Sequence, residues 1–258
     1  MKKGVVIILI AICAIVFGVS AYQLINYYGA NNAAESDFKQ LLPSDVSDPN
    51  AVTPDGGGMS YDFMSSYYES LREQNSDMVG WLRIPGTRVS YPVMQTTSSP
   101  EYYLDKNFQK QYSSNGSLFA ASISDVNLPS DVVIIYGHRM KTGAMFGSLG
   151  DFLKQDFFDT HDTIIFDTFT GRNEYKIYGA FSLAVGTGTE FDYYDYNQFW
   201  SRDMYDKFMT QTDSLLQIKN PSYRPMFGDK ILLLSTCEYT HTNGRLVLVA
   251  VRVENSTN

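Results

Sequence analysis

Two apolar runs near the C-terminal end, Ile231–Leu234 and Leu246–Val253, constrain this chain more than any other feature. Both are too short for a packed helix, and the second is rich in Val, so both read as strands. Neither alternates cleanly between apolar and polar positions, which predicts cover on both faces, as in a barrel or sandwich core. The polar loop between them carries an Asn-Gly turn signal, Asn243-Gly244. Strands joined in this way pair as neighbours. Cys237, at the end of the first, and Arg245, at the start of the second, would then lie side by side on one rim of a sheet. A permanent cation beside a thiol favours the thiolate, and the same cation can hold a carbonyl or a developing oxyanion. Taken alone, a cysteine ending a core strand is more often a small buried hydrophobe, and an arginine is more often a solvated surface group.

A second stretch changes that balance. Asp131–Leu149 reads DVVIIYGHRMKTGAMFGSL, a buried-strand run followed at once by Gly137 and His138. Cysteine with histidine is a minimal pairing of nucleophile and proton carrier. These residues resemble the sortase family: LSTC is followed eight residues later by Arg245, and YGHRM leads into G.MFG.L. That last motif, together with GWLRIPGTRVSYPVMQ at Gly80–Gln95, is similar to class B sortases in particular. The resemblance runs from about Met78 to Val253, with four separated motifs in the family's order.

The resemblance implies a mainly β fold with peripheral helices: a closed β-barrel, an N-terminal helix and a helix inserted before the Cys strand. It also implies a cysteine transpeptidase. Cys237 would attack a Thr carbonyl in a sorting motif near the C-terminus of a secreted protein. The thioacyl enzyme would then be resolved by a peptidoglycan amine, from a cross-bridge or its precursor. His138 would protonate the leaving amine and accept a proton from the incoming one. Arg245 would hold the substrate carbonyl or oxyanion. The chain departs from the family just after the GS.F strand, where the usual acidic residue is replaced by Ala120-Ala121-Ser122. The loop holding Ser98 and Ser99 matches too loosely for a groove role to be carried over.

Residues alone leave other assignments open. His241 is four residues from Cys237 and could serve as the base instead of His138. Cys237, His138 and His241 could ligate zinc, although the set is one short of a closed structural site and Arg245 disfavours a cation. The enzyme could be a cysteine peptidase that only hydrolyses, a pilin-polymerising sortase, or a non-catalytic surface-binding domain with an incidental thiol. Period-2 geometry puts Ser235 on the face of Cys237, which makes it a substrate-contact candidate, and points Glu238 the other way as a solvated rim carboxylate. No spacing implies a metal or an organic cofactor.

The rest of the chain divides simply. Gly4–Ile25 is almost wholly apolar behind Lys2 and Lys3. As a helix it would span roughly 33 Å, enough to cross a bilayer. The lysines place the N-terminus in the cytoplasm and the remainder outside. Val19-Ser20-Ala21 leaves a cleaved secretory signal as the rival reading. Residues 1–25 are thus read as a signal-anchor in the cell membrane, 26–60 as a mostly flexible tether with a short helical piece around Glu35–Leu42, and 61–258 as the extracellular catalytic domain. Aromatic residues make up 14% of the chain, which favours a β-rich domain. The net charge of −8 argues against a nucleic-acid partner. Cys13 lies in the apolar N-terminal segment, so it and Cys237 are not expected to pair. Met64, Tyr67, Tyr68 and Leu71 predict an amphipathic helix. Helices are also expected over about Leu149–Phe158 and through Phe199, Trp200, Met204 and Phe208, and a hairpin over Thr163–Val185 turning at Gly171. His161 reads as a solvated loop residue.

Overall fold

The computed structural model describes residues 3–41, 61–184, 191–238 and 244–253; for Cys237 and Glu238 it describes the backbone alone. The polar segment 42–60 and the loop containing His241 and Asn243 lie outside the described residues. The elements in chain order are α1 (Lys3–Lys39), α2 (Tyr61–Gln74), β1 (Met78–Arg83), β2 (Ser90–Met94), β3 (Leu118–Ala120), β4 (Val132–Gly137), α3 (Gln155–Thr160), β5 (Thr163–Thr168), β6 (Gly171–Ala184), α4 (Arg202–Leu215), β7 (Ile218–Lys219), β8 (Ile231–Glu238) and β9 (Gly244–Val253).

The strands hydrogen-bond in the order β5-β1-β2-β3-β4-β8-β9-β6, and β5 pairs with β6, so eight strands close into a barrel while β7 sits on β6. Closure at eight strands leaves an interior just wide enough for side chains to fill. Val133, Ile135, Leu232, Leu234, Leu246 and Leu248 join Leu82 in that interior. Their neighbours Val132, Ile134, Ile231, Leu233, Val247 and Val249 point outward beneath Phe208 and Met209 of α4. The apolar runs fail to alternate because both faces of these strands are covered.

The expected hairpin is present, with β5 and β6 antiparallel across Thr168 and Gly171. It closes the barrel through a buried charge cluster. The fully buried Asp167 carboxylate accepts from Arg83 Nη2 at 3.1 Å and from Arg172 Nε at 2.8 Å. Tyr68 of α2 donates to the same carboxylate at 3.2 Å and stacks on Trp81. The apolar stripe on α2 is therefore core packing.

Three expectations are corrected. The helix through Phe199 and Trp200 begins later, because Ser201 caps it by accepting from Met204 N; Phe199 is buried ahead of the helix and Trp200 is 83% exposed. The helix over Leu149–Phe158 splits at Lys154 into a 3-10 turn, Gly147–Leu153, and the short α3. The helical piece expected around Glu35–Leu42 belongs, as far as Lys39, to α1, which runs unbroken from the apolar stretch Val6–Ile25; Leu42 lies outside the described residues. Phe38 and Leu41 bury against the barrel core, with Phe38 edge-on to Tyr91 at 5.5 Å.

Candidate active site

The site forms where three strands end together. β4 and β8 are parallel, with Tyr136 opposite Ser235 and Gly137 opposite Thr236. The next residue on each chain is His138 and Cys237 respectively. β9 lies antiparallel on the other side of β8, and its Arg245 is the register partner of Cys237. Neighbouring strands lie about 4.8 Å apart, so His138, Cys237 and Arg245 occupy adjacent positions on one rim.

Local packing fixes the histidine. A Cβ on Gly137 would come within 2.4 Å of Leu118 Cδ2 and 2.8 Å of Phe146, so only glycine lets β4 exit against the core at this point. The His138 carbonyl accepts from Phe146 N at 3.0 Å, which clamps the loop that follows. Its ring Nε2 lies 2.7 Å from the Leu104 carbonyl oxygen. A carbonyl can only accept, so Nε2 carries a proton and donates it, and Nδ1 is the nitrogen left for exchange. Leu104 is itself set by Gly116, whose φ is +56 and whose Cβ would fall 2.3 Å from the Leu104 oxygen.

His138 and Arg245 line one groove of about 500 Å³, with Tyr136, Tyr193, Tyr194 and Ser235 among its walls. Arg245 is half-buried and donates from Nη1 to the Gly244 carbonyl at 3.1 Å. No ion pair among the described side chains engages it. Burial pushes the Tyr136 phenol well above its ordinary range; nearby Tyr193 adds to this and Arg245 opposes it. Tyr136 therefore stays a neutral hydroxyl in the groove. Ser235 is buried in the wall and its Oγ shares a hydrogen bond of 2.8 Å with the Tyr193 hydroxyl.

The structure brings His138, Arg245, Ser235 and the backbone of Cys237 together. It does not bring Ser98 or Ser99 to the described groove wall; from that loop, Pro100, Glu101 and Leu104 line it instead. Ala121 and Ser122, which follow β3, also face the groove. The helix inserted before the Cys strand does not wall the groove among the described residues. Tyr193 and Tyr194, on a 3-10 turn ahead of it, do so, and α4 backs Tyr193 from the outer cluster. Sequence reading missed these tyrosines because their only signal was the aromatic run YYDY. It missed Leu104 because a backbone carbonyl has no side-chain signature.

His161 is also corrected. It stacks on Phe157 at 4.0 Å and its Nδ1 donates to the Phe157 carbonyl at 3.0 Å, so it is a packed residue and not a solvated one. Among the described residues no cluster of three metal-ligating side chains exists. Of the zinc set considered, His241 and the Cys237 side chain lie outside the description.

The arrangement agrees with comparisons to known proteins. The family model described as a sortase domain matches residues 82–253. Sortase B of Staphylococcus aureus is 32% identical over 185 residues, covering 71% of this chain and 73% of that protein. A solved Staphylococcus aureus sortase B-substrate complex superposes with a TM-score of 0.68 at 29% identity, covering 76% of this chain and 92% of the other. A sortase B complexed with triglycine gives 0.67 at 31% identity, covering 75% and 88%.

Proposed function

This chain belongs to the sortase family, class B, and is a cysteine transpeptidase, and from that premise we propose that it cuts a C-terminal sorting motif of secreted proteins and joins them to a peptidoglycan amine. The observation that carries the reading is the rim itself: Arg245 in register with Cys237, and the strand of His138 on its other side.

The chemistry follows from those positions. The Cys237 thiolate attacks the scissile carbonyl, and the charge moves to oxygen as a tetrahedral oxyanion. Arg245, which has no carboxylate partner among the described residues, neutralises that charge through its fork of N–H donors. The C–N bond breaks, His138 delivers a proton to the departing amine, and a thioester remains on Cys237. An incoming amine attacks the thioester, gives up its proton to His138 and expels the thiolate, leaving an amide. The hydrogen bond from Nε2 to the Leu104 carbonyl keeps the ring oriented through both transfers. A stable groove wall, with Ser235 tied to Tyr193, gives the sorting peptide a fixed surface to lie on.

The same reading makes Val6–Ile25, with mean hydropathy 2.4, a single-pass anchor. Lys2 and Lys3 would stay on the cytoplasmic side, leaving the barrel outside the cell. The amine partner is supported by the relative solved with triglycine, and the peptide partner by the one solved with substrate.

The test uses the full chain in detergent, with Cys237→Ala beside it. Each is incubated with fluorogenic sorting-type peptides, with and without oligoglycine or a diaminopimelate-like amine, and the products are weighed. Cleavage by wild type alone with amine-dependent ligation is expected. Cleavage that yields only hydrolysed product with every amine would replace the transferase with a peptidase. Unaltered cleavage by Cys237→Ala would remove the nucleophile from this scheme.

A further inference from the structure

A second cavity, of about 700 Å³, lies against the loop that carries His138. His138 lines the groove, whereas the residues that follow it, Arg139, Lys141 and Thr142, line this other cavity together with Arg88 from the β1–β2 turn. Among the described residues that line it, Arg88 and Lys141 are exposed cations and Asp151 is the carboxylate, in a chain whose net charge is −8. Asp151 also pairs with Lys154 at 2.7 Å, which weakens its hold on the cavity cations. Thr142 and Ser148 bury their hydroxyl oxygens in this wall with no hydrogen-bond partner among the described residues. Both oxygens are closed off from the cavity itself, so its binding surface is made by the exposed cations. Concave positive surfaces concentrate anions, and guanidinium groups match the planar geometry of carboxylates and the oxygens of phosphates.

The wall is rigid. Arg88 donates from Nη1 to the Thr142 carbonyl at 3.0 Å, which joins the β1–β2 turn to the loop. Met145, with φ of +51, is held by its N–H donating to Tyr91 Oη at 3.2 Å. Phe146 N closes the loop back onto the His138 carbonyl. Whatever sits in the cavity touches the same short loop that sets the histidine.

We propose that this cavity is an oxyanion site for the second substrate: it takes a carboxylate or phosphate group of the amine-bearing acceptor, and so holds that acceptor beside the His138 loop. The assignment of the occupant as an acceptor rests on the transpeptidase reading above; the anion site itself does not.

The test has two arms on the full chain in detergent, comparing wild type with Arg88→Gln/Lys141→Gln. Both residues are exposed, and equal melting temperatures check that the fold is kept. In the first arm, calorimetry follows titration with pyrophosphate and, separately, with N-acetylglycine. Binding should weaken about tenfold in the variant, and by a similar factor in 0.5 M salt, as expected for two solvent-accessible cations. Preference for one titrant names the source, phosphate or carboxylate. No binding of either, or equal binding by both proteins, overturns the site. In the second arm, the KM of triglycine is compared with that of triglycine amide as acceptor. Wild type should favour the carboxylate form, and the ratio should fall toward one in the variant. An unchanged ratio, with no inhibition of transfer by pyrophosphate, overturns the acceptor role while leaving the transpeptidase intact. If no amine is ever ligated, the transpeptidase reading fails, and the first arm still decides whether the cavity binds anions.

Discussion

Two groups of arginines sit at opposite extremes in this molecule. Arg83 and Arg172 converge on Asp167, a carboxylate with no exposure, and every oxygen of that carboxylate is occupied. Arg245 is half-buried at a strand end, with a backbone carbonyl as its recorded acceptor. The first arrangement is closed: two guanidiniums hold one carboxylate that has no exposure, where β1, β5 and β6 meet. The second has no carboxylate partner among the described side chains and opens to a groove. A cation so placed at a rim can meet an anion that arrives only during reaction. Charge density alone does not separate structural from functional arginines; what separates them is whether the counter-charge is already built in.

The predictions test that contrast. The largest effect belongs to Cys237→Ala, which should reduce peptide cleavage by about 10⁴-fold or more without lowering the melting temperature; fluorogenic peptide assays check it. Asp167→Asn strands the buried Arg83 and the half-buried Arg172 and should cost about 3–5 kcal/mol, seen as a drop of about 10 °C in calorimetry. The protein that remains folded should turn over at close to the normal rate. Arg245→Met should do the reverse: kcat falls about 10²–10³-fold while melting barely moves. If Arg245→Met melted early, or Asp167→Asn selectively slowed turnover, the division between the two sites would collapse.

Gly116→Ala is intermediate by design. It forces a Cβ into a left-handed position 2.3 Å from the Leu104 oxygen, for a cost of about 1–3 kcal/mol. Because that oxygen accepts from His138, the pH–rate profile should shift along with the modest loss of stability. The smallest effect belongs to a half-buried pair, Asp162 and Lys176. Burial alone would raise the Asp162 carboxyl, but hydrogen bonds from Thr163 and Lys176, with the charge of Lys176, outweigh it and hold the group below its usual 3.8. Its folded value is depressed, so its contribution is present above the unfolded pKa and lost as pH falls through the folded one. Asp162→Asn should lower stability by a few tenths of a kcal/mol at neutral pH. The two melting curves should converge as the pH falls below the ordinary carboxylate range.

Much of this was legible in the chain. The strand runs Val132–Tyr136, Ile231–Leu234 and Leu246–Val253 are short, apolar and bounded, and they fold as strands. Cys237 and Arg245 could be paired because one short connection leaves an antiparallel partner little choice of register. The neighbourhood of His138 was less accessible. A parallel pairing of β4 with β8 depends on how the whole barrel closes, and only the family resemblance supplied it. Helix starts were misplaced for a physical reason: Phe199 and Trp200 share the spacing of the α4 stripe, yet Ser201 offers a better cap and the helix begins there. Leu104 could not have been found, because its contribution comes from the main chain and its position from Gly116.

The parallel contact between β4 and β8 joins Tyr136 to Ser235 across 99 residues of chain. A polypeptide delivered N-terminus first therefore presents the histidine strand long before the thiol exists. Cys237 and Arg245 arrive at the very end, and β9 must slot between β8 and β6 before the rim is whole. Pairings of such long range form late in folding. Until β9 has joined the barrel, the thiol of β8 and the histidine after β4 lack the arginine that completes the rim.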